Sequence, residues 1–116
     1  MIINVMYQGG WISIAPDHAV VKLGEPVQWC FSSSDESVNR IRWTVYFDQG
    51  SPFPAGQASF SAESVVSNNR PLGHIVHSGQ LPPVLAIKDY KYGVKAENPA
   101  RQEILADDDP RLLVLP

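Results

Sequence analysis

Thiols are nearly absent from this chain: Cys30 is the only cysteine in 116 residues. An internal disulfide is therefore excluded, and packing alone must hold the fold. Long apolar runs are missing too, so no segment reads as a transmembrane helix. Met1 to Met6 lack the basic start and extended apolar stretch of a secretory leader. The expected compartment is the cytoplasm, or the periplasm or exterior if a leader has been removed. Nine Lys and Arg stand against twelve Asp and Glu, a net charge of −3. That balance gives no strong attraction for nucleic acid or an anionic membrane, so neither is an expected partner.

Catalytic signatures are lacking as well. Ser32, Ser33 and Ser34 sit in no Gly-x-Ser-x-Gly elbow, and no histidine is placed nearby as a base. No glycine-rich phosphate loop occurs. Enzymatic activity is not expected, and no cofactor is implied. Helical periodicity is equally hard to find.

What is present is a globular composition, with 44% hydrophobic and 18% charged residues, sized for one domain over residues 1–116. Ten prolines and eight glycines are scattered, which predicts many turns and short strands. In Val27 to Phe31, Val27, Trp29 and Phe31 share a face. In Ile41 to Phe47, Ile41, Trp43, Val45 and Phe47 face one way, with Arg42, Thr44 and Tyr46 on the other. Tyr90, Tyr92 and Val94 repeat the pattern. Ile2–Met6, Trp11–Ile14, Ala19–Leu23, Gly73–Ser78, Val84–Ile87 and Arg111–Leu115 read as further strands. Phe53 to Val66 reads as loop with a short strand or a helical turn near Phe60, and Glu97 to Asp109 reads as a polar connection with one helical turn near Arg101 to Leu105. Strands at this spacing without crossover helices predict an all-β, antiparallel Greek-key β-sandwich.

Taken in order, Val21-x-x-Gly24-x-x-Val27-x-Trp29, Trp43 to Asp48, Tyr90-x-Tyr92-x-Val94 and Asp109 to Val114 resemble the cupredoxins, the blue-copper β-sandwich proteins. The similarity runs from about Ile12 to Val114 and matches Phe53 to Ile87 poorly. An immunoglobulin-like sandwich is the rival reading, although its cysteine pair is absent. A blue-copper site needs a thiolate, two imidazoles and usually a weak axial thioether. The resemblance places one histidine of the family where this chain has Trp43, and its cysteine where this chain has Val94. The remaining ligands would fall within Lys95 to Asp109, which holds neither histidine nor methionine. It therefore implies a copper-free relative, plugged by an indole and an isopropyl group.

Other candidates have plainer readings beside them. Cys30 points away from the Val27, Trp29 and Phe31 face and reads as a small hydrophobe if that side is covered. His74 and His77 lie three apart, which on a strand sends them to opposite faces. His18 is distant in sequence, so a metal site built from these residues is the less favoured reading. Asp107, Asp108 and Asp109 lack the spacing of a calcium loop and read as a solvated turn. Trp11, Trp29, Trp43, Tyr46, Phe53 and Phe60 look too many for one core, although each filling a gap is the modestly favoured outcome. Tyr46, Pro52, Phe53 and Pro54 are the candidate partner-binding residues, because an aromatic between prolines is cheap to order on binding. The expected function is a non-catalytic binding or assembly module, meeting a protein partner or itself. The alternative is a metal-handling or electron-transfer protein using His18, Cys30, His74 and His77. An enzyme with an unrecognised site is third.

Overall fold

The structure is a computed structural model that describes residues 1–33, 40–53, 57–65, 74–77 and 88–116. Those residues form eleven strands and no helix: β1 (Ile2–Gln8), β2 (Trp11–Ala15), β3 (His18–Lys22), β4 (Val27–Ser33), β5 (Arg40–Tyr46), β6 (Ser59–Val65), β7 (His74–His77), β8 (Lys88–Lys91), β9 (Gly93–Asn98), β10 (Glu103–Asp108) and β11 (Arg111–Leu115). The expected strand at Val84 to Ile87 lies outside the described residues.

Three sheets result, in the orders β2-β1-β4-β7, β10-β9-β5-β6 and β3-β11-β8. The first two form the sandwich, and their edges approach each other through β2 with β10 and β6 with β7. Burial alternates along the strands as the sequence pattern requires. Ile3, Val5 and Tyr7 point inward from β1, and Val27, Trp29 and Phe31 from β4, while Ile41, Trp43 and Val45 do so from β5 and Leu112 and Val114 from β11. The β1–β2 connection is a two-residue turn at Gly9 and Gly10, both with positive φ, which suits the twist of a tight hairpin. A cis Ala15–Pro16 peptide then leads the chain from the first sheet to the third.

Six of the pairings among the described residues are antiparallel, but β1 with β4 and β3 with β11 run parallel. Alternation reveals which face of a strand is buried and says nothing about the direction of its neighbour, so these two were not legible.

The polar connection expected over Glu97 to Asp109 is a hairpin instead. Its turn is closed by Asn98, whose Oδ1 accepts from the Ala100 amide at 3.1 Å and whose carbonyl accepts from Arg101 at 3.3 Å. β10 follows, bulged between Ile104 and Ala106. As the outermost strand of its sheet it buries little, so its polar residues carry no alternating signal. Both arms of this hairpin change sheet together. The Tyr92 amide donates to the Pro110 carbonyl at 3.1 Å where β8 gives way to β9 and β10 to β11.

One cross-strand pair fixes the outer face of the second sheet. Tyr46 of β5 is the register partner of Gly93 of β9. Its ring lies over that glycine, so a Cβ added at Gly93 would run into the ring. Tyr46 reaches on to β10, where its hydroxyl donates to Asp107 at 2.8 Å and 3.0 Å to the two carboxylate oxygens. Glycine is thus required here for close approach, and the aromatic covers the gap it leaves.

Gly93→Ala should therefore lower stability by about 1–3 kcal/mol with an unchanged urea m value. Adding Tyr46→Ala to that variant should return part of the loss, and a double-mutant cycle by urea unfolding measures the coupling. Strictly additive losses would contradict the stacked arrangement.

Candidate functional site

The two positions singled out by resemblance lie on neighbouring strands. Trp43 is the register partner of Ala96 and Val45 of Val94, so Trp43 and Val94 are diagonal neighbours on one face. Both are fully buried. Across the interior, Trp43 stacks on Phe31 of β4 with ring centroids 4.9 Å apart and an interplanar angle of 26°.

A second aromatic group continues the filling. Trp29 of β4 meets Phe47, Phe53 and Phe60 at centroid distances of 6.4, 6.0 and 6.1 Å, and Tyr92 at 5.8 Å. Its Nε1–H donates to the Tyr92 hydroxyl at 3.3 Å. Phe47 and Tyr92 stack on each other, and Phe53 meets Phe47 and Phe60 edge to face. Such contacts add to the area term that burial of large rings supplies.

These positions do not fit a copper ion. Blue-copper coordination needs soft thiolate and neutral imidazole donors converging on one point. An indole N–H only donates, and an isopropyl group has no lone pair. Among the described residues, no group of three or more His, Cys, Asp or Glu side chains is placed to hold a metal ion.

The other candidates are dispersed. His18, on β3 of the third sheet, pairs with Asp89 at 3.4 Å, and Arg111 shares that carboxylate at 3.4 Å. Cys30 is partly exposed on β4 and accepts from Gln28 Nε2 at 3.4 Å. By backbone register Cys30 opposes His74, and Val27 opposes His77. The three aspartates are split in use: Asp107 receives Tyr46, whereas Asp109 sits 3.9 Å from Lys91.

The candidate partner-binding residues Pro52 and Phe53 require correction, since binding through them would need them exposed. Phe53 is only 2% exposed and Pro52 is buried, while Pro54 lies outside the described residues. Phe53 satisfies the ring cluster around Trp29, and that burial outweighs the turn character of the flanking prolines. Ser51 supports the local bend, its Oγ accepting from the Phe53 amide at 3.1 Å. Tyr46 is half-buried on the opposite side of its sheet, engaged by Asp107, with Lys95 Nζ 5.9 Å from its ring centroid. Tyr46 and Phe53 therefore form no common patch. The core takes most of these rings, as the favoured reading expected: Trp29, Trp43, Phe53 and Phe60 all enter it, Tyr46 is half-buried, and only Trp11 of the six surfaces fully.

Burial pushes the Tyr92 hydroxyl up to about 12 from its ordinary 10, with the Trp29 hydrogen bond acting in the opposite direction. Burial and then the Asp107 carboxylate push Tyr46 upward as well. In both cases the folded state holds its proton after the unfolded chain has lost it. Their contribution is complete below about pH 10 and is lost as pH climbs through the folded values. Stability, followed by urea unfolding, should fall steadily between pH 10 and pH 12. Tyr92→Phe should flatten that decline by about 2 kcal/mol across the window. An equally steep decline in the variant would contradict a buried Tyr92 hydroxyl.

No protein-family model matches the chain, and no curated protein matches it in sequence. Solved structures do. Auracyanin B is similar over 99% of this chain and 88% of its own, with 11% identity and a TM-score of 0.50. Auracyanin A, described as a "blue" copper protein of the green thermophilic photosynthetic bacterium Chloroflexus aurantiacus, aligns over 99% of this chain and 98% of its own. There the identity is 18% and the TM-score 0.48. The fold of this chain is cupredoxin-like.

Proposed function

We propose that this chain is a copper-free cupredoxin-like domain that works as a non-catalytic binding or assembly module. One observation carries the reading: Trp43 and Val94 stand on one buried face where the resemblance would place copper ligands, and neither offers a lone pair to a metal. An interior packed with interlocking rings also leaves little room for a substrate, so contact through the surface is the remaining mode of action.

The principal alternative is metal handling by an unconventional site. The register partnership of Cys30 with His74 favours it over other combinations, since His18 belongs to a different sheet. The expected cytoplasmic setting rests on the amino-terminal residues alone and gains no support from the fold. Among the described residues no helix is long and apolar enough to cross a membrane.

Titration of the reduced protein with Cu(I), Cu(II) and Zn(II) tests the reading. The expected result is no stoichiometric binding, no visible thiolate charge-transfer band and an unchanged melting temperature. Tight one-to-one copper binding with such a band would overturn it. Loss of that band in Cys30→Ser would then assign the metal to the alternative site.

A further inference from the structure

The two outer faces of the sandwich differ in charge. On the sheet of β9, β5 and β6, Arg42 donates to Glu63 at 3.0 Å with Arg40 3.6 Å from the same carboxylate, and Lys95 sits 3.6 Å from Glu97. On the opposite side, β1, β2 and β4 contain no Asp, Glu, Lys, Arg or His, and β7, the fourth strand of that sheet, brings His74 and His77 at its edge. The face they present to solvent is nevertheless open. Ile2 is 56%, Met6 44% and Trp11 56% exposed. Register sets Met6 between Ser13 and Ser32, Ile2 beside Gln28, and Trp11 beside Gln8.

We propose that this neutral face of β2, β1 and β4 is the contact between two copies of the chain, packed sheet on sheet about a two-fold axis. The inference rests on the assembly-module reading and gives it a partner. A two-fold contact must be complementary to itself. A charged side chain near the axis would meet its own copy or be stranded without water, which disfavours association. The strands β1, β2 and β4 supply none, and the nearest described ion pair, Met1 with Glu25, lies beyond Ile2 at the end of β1. The polar groups of this face are amides and hydroxyls, which both donate and accept and so can bond to their own kind. A carboxylate or ammonium cannot. The described faces of the other sheets carry charges, so within this chain the matching surface is the same one. An acidic or basic peptide would find no counter-charge here, which leaves a neutral occupant. Met6 lies near the middle of this face, with Ile2 and Trp11 towards its two ends and Asn4, Gln8, Ser13, Gln28 and Ser32 among them, a mixture of apolar and neutral polar groups such as protein contacts use.

Trp11 provides a direct readout. Trp29 and Trp43 are fully buried, so acrylamide-accessible tryptophan fluorescence belongs to Trp11. Sedimentation and quenching are measured on the whole chain with reductant present, because Cys30 lies on this face. The expected result is a reversible dimer with a dissociation constant on the order of 1–100 µM. Quenching should fall as the dimer fills. Met6→Lys should raise the dissociation constant at least about ten-fold, whereas Ser61→Lys, on the outer face of the other sheet, should leave it unchanged. Raising salt from about 0.05 M to about 1 M should not weaken association of the unaltered chain. A monomer up to about 1 mM, where even weak protein contacts fill, would overturn the proposal and leave the copper titration standing. A dimer insensitive to Met6→Lys, or one dissolved by salt, overturns it equally. So does a chain that stays monomeric and uses this face for a different protein.

Discussion

Everything in this molecule depends on how the gap between the two sheets of the sandwich is filled. Phe31 of β4 stacks on Trp43 of β5, and Trp29 of β4 touches four rings, Phe47, Phe53, Phe60 and Tyr92. Aromatic side chains remove more apolar area from water than any others and hold fixed geometry while doing so. Without a disulfide, these contacts set both the spacing of the sheets and the position of the strands that carry them. Where Trp43 stacks on Phe31 beside Val94, they put rings and an isopropyl group in place of converging donors.

That filling was legible where burial alternates strictly. Val27, Trp29 and Phe31, then Ile41, Trp43, Val45 and Phe47, and finally Tyr90, Tyr92 and Val94, all lie inward as their spacing requires. Phe53 was misread because proline neighbours signal a turn, and a turn residue can still drop its ring into the core. β10 escaped notice because an outer strand buries so little of either face that Glu103 to Asp108 shows no period. The parallel partnerships of β1 with β4 and β3 with β11 were invisible for a different reason. Hydrophobic period carries no information about chain direction. The link from Tyr46 over Gly93 to Asp107 joins residues 61 apart, and no local pattern announces it.

The site itself was legible only through resemblance. Nothing in the spacing of Trp43 and Val94 marks them as special, and their proximity follows from the register of β5 with β9. The surface adds what the interior withholds. One outer face of the sandwich is laced with ion pairs that are individually weak in water, and the other is free of charge over three strands.

The central claim is that rings and an isopropyl group occupy the volume a metal would need. It is tested most directly by anomalous diffraction at the copper edge on crystals grown with excess copper. The account predicts continuous side-chain density for Trp43 against Phe31 and no anomalous peak between the sheets. A strong peak there, or an indole swung away from Phe31 to admit an ion, would contradict it.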